Sequence, residues 1–148
     1  MATVTRTRAL AAPPEAVWRT VGDLHQLARW WPKVLRVEGV RDGAFTEVLQ
    51  TDRGRDIRAD FVLAEADPPR TWVAEQQLEG TPFERVLRAA RKSVLLQPAG
   101  DSGTIITVTL ERSMRGAGRL GGVFLRRASR RQIDAALDNL EDLHGALA

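Results

Sequence analysis

From Val34 to Leu78 apolar residues recur at every second position, and each such stretch stops at a short run of turn-forming residues. A period of two places successive side chains on opposite faces of a pleated strand. It predicts strands over about 34–41, 44–52, 56–66 and 70–78. The connections Arg41-Asp42-Gly43, Asp52-Arg53-Gly54 and Asp67-Pro68-Pro69 carry turn chemistry and are too short to hold a crossover helix. Consecutive strands must then run antiparallel, as a meander.

The flanks carry a different rhythm. Residues 3–11 alternate Thr or apolar residues with Arg, which suits a half-exposed strand. Pro13 and Pro14 end it, and Pro14 suits the first turn of a short helix whose apolar residues are Val17, Trp18 and Val21. Gly22 and Asp23 break that helix, and Asp23 can cap a second short one that stops before Pro32. Phe83, Val86, Leu87 and Ala90 recur at helical spacing, so residues 79–90 are expected to form another short helix. Strands are expected at about 91–98 and 104–113, joined by a hairpin through Gly103.

Gly116, Gly118, Gly121 and Gly122 mark a loose junction before the last element. Beyond it Leu120, Phe124, Ala128, Ile133, Leu137, Leu140 and His144 trace one side of a helix of about 25 residues. Arg112, Arg115, Arg119, Arg126, Arg127, Arg130 and Arg131 crowd its start, while Asp134, Asp138, Glu141 and Asp142 follow. This order opposes the helix dipole, so the charges answer to something else. Arg130 and Asp134, four residues apart, would add about 0.3 kcal/mol as an exposed pair. The expected architecture is α+β: one domain over 1–148, a curved antiparallel sheet wrapped around a long C-terminal helix, with two short helices after the first strand.

Composition narrows the function classes. With 148 residues, 43% of them hydrophobic and 28% charged, the chain can build one substantial core. It has no Cys, which removes disulfides, thiolate metal ligands and a cysteine nucleophile. No segment approaches the roughly 20 apolar residues of a membrane span. The N-terminus MATVTRTRALAAPP lacks the apolar stretch of a secretion signal, so a cytoplasmic location is expected. The net charge of +3 comes almost wholly from Arg, since Lys33 and Lys92 are the only lysines.

The segment AAPPEAVWRTVGDLHQLARWWPKV (11–34), the hairpin Gly43-Ala44-Phe45, the Asp67-Pro68-Pro69-Arg70 turn before Trp72, and Gly103-Thr104 opening the last strand together resemble the START and polyketide-cyclase-like superfamily. This is the SRPBCC or helix-grip fold, and the resemblance covers nearly the whole chain. It implies a cavity between sheet and helix that takes a hydrophobic small molecule. The superfamily spans lipid and sterol carriers, hormone receptors, aromatic polyketide cyclases and oxygenase domains, so fold alone does not set function.

The residues offer few routes to other chemistry. His25 and His144 fall on separate helices at opposite ends of the chain, and no Ser sits in a G-x-S-x-G elbow. No HExxH, paired-His or carboxylate loop suggests a metal, and the 2-His-1-carboxylate set of the oxygenase branch has no match here. GAGRLGG (116–122) lacks the βαβ context of a dinucleotide site, so no cofactor is expected.

Alternation aims Trp72, Ala74, Gln76 and Leu78 at the helix, as it does Ile57, Phe61, Leu63, Ile106, Val108 and Leu110. Two polar residues interrupt these apolar faces: Gln76, and Glu47 between Phe45 and Leu49. They are the candidate acid–base or polar ligand-contacting groups. A register shift of one residue would instead send Glu47 to solvent and Val48 inward. The candidate ligand-lining residues are Trp30, Trp31, Phe45, Phe61, Trp72, Gln76 and Phe124. Core packing is the competing role for the tryptophans and for Phe124.

Three functions fit. The first is binding of a small hydrophobic or aromatic molecule for transport, sensing or sequestration. The second is a cyclase or dehydratase that folds a polyketide-like substrate with Glu47 and Gln76. The third is an adaptor whose basic helix face meets an anionic partner or membrane surface. No nucleic-acid motif is present, and a homodimer is compatible with the sequence.

Overall fold

In the computed structural model residues 1–116 and 118–147 are described, with 118 and 119 described by backbone alone. Seven strands form one antiparallel sheet: β1 (Ala2–Leu10), β2 (Val34–Arg41), β3 (Ala44–Gln50), β4 (Asp56–Asp67), β5 (Thr71–Gln77), β6 (Leu87–Ala99) and β7 (Gly103–Met114). Their spatial order is β1-β7-β6-β5-β4-β3-β2, so β2 to β7 form a meander and β1 closes it beside β7. Helix α1 (Pro14–Val21) and a 3-10 turn (Leu24–Arg29) carry the chain from one sheet edge to the other. The long helix α2 (Gly118–His144) packs against β1 and β7. The α+β helix-grip architecture expected from the sequence is therefore the one observed.

Local chemistry sets the joints. Asp42 and Gly43 both have positive φ, 51° and 79°, as the two-residue turn between β2 and β3 demands. Asp23 accepts a hydrogen bond from the His25 backbone N–H at 3.0 Å and so caps the 3-10 turn. Gly22 ends α1 beneath the Trp18 ring: a Cβ there would lie 2.2 Å from Trp18 Cε2, so no larger residue fits.

The core lies between the concave face of the sheet and the helices. Leu10, Val17, Trp30, Ile106, Val108, Ile133, Ala136, Leu137 and Leu140 are all fully or almost fully buried. The α2 residues follow the i, i+3, i+4, i+7 spacing of one apolar stripe, and each large side chain contributes about 2 kcal/mol of hydrophobic burial. The Trp72 ring spans the layers, its Nε1 donating to the Val21 carbonyl at 2.8 Å.

Two expectations change. Residues 79–90 do not form a helix: a 3-10 turn (Pro82–Arg85) leads directly into β6, which begins at Leu87. Backbone pairing to the long β7, from Leu87 opposite Met114 to Ala90 opposite Arg112, overrides the helical spacing of the apolar side chains. Val86 is accordingly exposed while Ala90 is buried, which one helical face would not allow.

The first turns of α2 are the second change. Leu120, Val123 and Phe124 are exposed there, as is Ala128, and the packed stripe starts only at Ser129 and Ile133. Arg126, Arg127, Arg130 and Arg131 share this exposed stretch, while Arg119 lies outside the described side chains. The acidic half of the helix answers to β1. Asp134 lies 3.5 Å from Arg6 rather than pairing with Arg130, and Asp138 and Glu141 both reach Arg8, at 3.0 and 2.9 Å.

Candidate functional site

The helix fills only part of the sheet's concave face. Beside the filled part lies a cavity of about 400 Å³, bounded by inward residues of β3 to β7, by Trp31 and Phe83, and by Gln132 of α2. Its size falls within the range of small-molecule sites. Leu49, Ile57, Phe61, Leu87 and Leu110 give it apolar walls. The alternation of each strand delivers these residues, and bulges in β4 near Leu63 and in β6 near Leu87 bend the sheet around them.

Charged side chains stand in the depth of this space. Glu47 is 2% exposed and accepts a hydrogen bond from Lys92 Nζ, which is 4% exposed. The Lys92 ammonium also lies 4.3 Å from the ring centre of Trp31 and 4.8 Å from that of Phe61, so two aromatic faces share its charge. Burial pulls the Lys92 pKa below the usual lysine value, and the Glu47 carboxylate opposes that pull. Arg112, from the far end of β7, borders the same cavity and donates to Ser129 Oγ at 3.4 Å. Burial likewise lowers its pKa, again against the attraction of Glu47.

Two amides complete the polar set. Gln76 Nε2 and Gln132 Oε1 are buried at the cavity wall with no hydrogen-bond partner among the described residues. At the rim the charges are paired: Lys33 with Asp52 at 3.2 Å, and Arg91 with Glu75. Among the described residues no group of three or more His or carboxylate side chains converges as metal ligands would.

The sequence-selected residues separate into three places. Trp31, Glu47, Phe61 and Gln76 meet at the cavity. Trp30, Phe45 and Trp72 are core: Phe45 backs the cavity wall by stacking on Phe61 at 5.3 Å, and Trp30 packs edge-on against Trp31 at 5.4 Å. Phe124 is 65% exposed and lies outside the cavity lining. Glu47 points inward with Phe45, and Val48 is buried on the opposite face, in register between Arg36 and Arg58.

Lys92, Arg112 and Gln132 were missed. The signal was present for the first two: Lys92 interrupts the inward series Ala90, Val94, Leu96, and Arg112 continues Ile106, Val108, Leu110. Placing residues 79–90 in a helix cut the first series short.

This set of features (a meander closed by its first strand, a helix laid across it, and a lined space left between) is that of the helix-grip fold. Residues 1–145 match the family described as polyketide cyclase / dehydrase and lipid transport, and the chain belongs to that family. No curated protein matches it. Among solved structures it is similar to a START superfamily protein from Mycobacterium smegmatis, at 13% identity and a TM-score of 0.76, over 96% of both chains. The aromatase/cyclase Zhui from Streptomyces sp. R1128 is 20% identical with a TM-score of 0.73, over 93% of this chain and 90% of that one. The di-domain ARO/CYC BexL from the BE-7585A biosynthetic pathway is 17% identical with a TM-score of 0.80, and this chain covers 46% of it. At such identities the likeness is one of fold.

Proposed function

We propose that this protein binds a small hydrophobic or aromatic molecule in the cavity between sheet and helix, to carry, sense or sequester it. The observation that supports this reading is the space of about 400 Å³ walled by Trp31, Phe61 and Phe83, next to a core that is otherwise filled. Folding leaves such a space open only at a cost in lost packing contacts, which a bound apolar molecule would restore. Native mass spectrometry of protein purified from its own host tests it. A non-covalent small molecule is expected at one copy per chain, and Ala59→Phe, which fills the cavity from β4, should expel it. Absence of any bound mass, together with no binding of apolar probes, would overturn the reading.

A second reading, a cyclase or dehydratase acting on a polyketide-like substrate, is favoured by one feature. Glu47 and Lys92 form a buried acid–base pair at the cavity wall, within hydrogen-bond reach of each other, and burial lowers the Lys92 pKa. On that reading Glu47→Gln abolishes turnover while leaving ligand affinity within a few-fold. On the binding reading the same change alters affinity alone.

A further inference from the structure

We propose that the ligand of this cavity is an apolar molecule carrying a single oxyanion, a carboxylate or an ionised enol or phenol, received by Arg112. The inference rests on the cavity-binding reading and adds the ligand's charge to it.

The ground is a charge count that closes at the rim and fails to close in the depth. Outside, Lys33 is matched by Asp52 and Arg91 by Glu75. Inside, two cations, Lys92 and Arg112, face one carboxylate, Glu47, and Glu47 is engaged by Lys92. Arg112 has no carboxylate within salt-bridge distance among the described residues, and its one side-chain hydrogen bond is the long contact to Ser129. A guanidinium stays ionised at any pH the fold survives, so this charge cannot be shed. One positive charge is left over in a part-buried space, where the charge is less well solvated than at the surface and an opposite one is attracted more strongly than in bulk water.

The same wall supplies matching hydrogen-bond capacity. Among the described residues most of Arg112's donors have no acceptor, and the Gln76 Nε2 donor is buried and unpartnered. Gln132, whose amide can present either end, lies on the α2 side of the same space. A fork of donors suits a planar two-oxygen group. Opposite them the apolar walls have no charge to offer, so the rest of the ligand must be apolar. An uncharged hydrocarbon filling the space would displace water from Arg112 and leave it and the buried Gln76 amide without partners, and a cation would meet a site already positive by one.

Two probes of nearly the same shape separate the terms: 2-naphthoate and neutral 2-naphthamide, titrated into the full-length protein and followed by calorimetry and tryptophan fluorescence. The expected result is tighter binding of the naphthoate by about tenfold or more, the range of a charge-assisted hydrogen bond. Arg112→Met should remove that preference while leaving naphthamide affinity within a few-fold. Arg112→Lys should retain part of it. Should Arg112→Met fail to fold, the preference in the unmodified protein and its partial loss in Gln76→Leu carry the test. Equal binding of the two probes, or tighter binding of the amide, overturns the oxyanion proposal and leaves cavity binding standing. Failure of both probes to bind overturns the cavity reading and the proposal with it.

Discussion

Near β1 and the adjoining end of β7, the concave face of the sheet is filled by Ile133, Ala136, Leu137 and Leu140 of α2; towards β3, β4 and β5 the same face looks onto open space. The two regions share one sheet and one helix, yet they are built to different rules. In the filled region the centre is apolar, and the charged inward residues, Arg6 and Arg8 of β1, are paired with carboxylates of α2 at its margin. In the open region the alternation continues, but its inward positions include Glu47, Gln76, Lys92 and Arg112. The filled part holds the fold together, and the open part costs stability that nothing in the packing returns.

That contrast can be broken most directly at the ion pair. Removing one partner from a buried pair leaves the other charge without compensation, so Lys92→Met or Glu47→Leu should each lower the unfolding free energy by about 3–5 kcal/mol in urea titrations. The double variant Glu47→Leu with Lys92→Met should regain all of that loss and can exceed the parent, because two desolvated charges are replaced by packed hydrocarbon. Such a result would mean that the pair is kept for what the cavity does rather than for stability. Additive losses in the double variant would show that the pair is part of the structural core after all.

A smaller effect sharpens the same comparison. Leu140→Ala, in the dry region, should cost about 3 kcal/mol, because the surrounding side chains cannot collapse into the hole. Leu49→Ala, on the cavity wall, should cost under about 1 kcal/mol, because much of its surface already faces empty space and water can enter the enlarged cavity. It should weaken binding of an apolar probe instead. Equal losses at the two positions would mean that the cavity wall is as tightly constrained as the core.

How much of this was legible in the sequence follows the same division. The period-two pattern and the Asp-Gly and Pro-Pro turns specify the meander, because each strand's face is chosen by local chemistry that the sequence displays. Inward placement of Gln76 was readable for the same reason. What failed was the segment from Phe83 to Ala90, where four apolar residues fit a helix but a partner strand twenty or so residues later decides the outcome. That error removed Ala90 from the inward series, although Lys92, Val94 and Leu96 fell inside the strand expected at about 91–98. Phe124 failed differently: Leu120, Phe124 and Ala128 are spaced by four, but Phe124 stands nine residues before Ile133 and so falls on the opposite side of α2 from the packed stripe, facing solvent. The acidic half of α2, unfavourable by its dipole, became intelligible only once Arg6 and Arg8 of β1 were seen beside it.

The smallest expected effect lies where the filled region meets α1. Thr20 is 5% exposed, and its hydroxyl lies 2.9 Å from Nε2 of His144, joining the end of α2 to α1. Burial lowers the His144 pKa below its ordinary value of 6.5, and the charges of Arg29 and Arg19 lower it further. The native protein therefore holds this proton less readily than the unfolded chain does. Between the lowered value and 6.5 the unfolded chain binds more protons, so stability from this group is fully present above pH 6.5 and falls as pH drops below it. The fall should level off once native His144 is itself protonated. Urea titrations from neutral pH down to about pH 5, above the range where most carboxylates titrate, should show this decline, and His144→Gln should flatten it. Thr20→Val should cost about 1 kcal/mol at neutral pH through the lost hydrogen bond. Neither change should alter probe binding, since both residues lie outside the cavity lining. A shift in probe affinity with either variant would mean that the filled and open regions of the fold are coupled, with the end of α2 helping to set the width of the space beneath its middle.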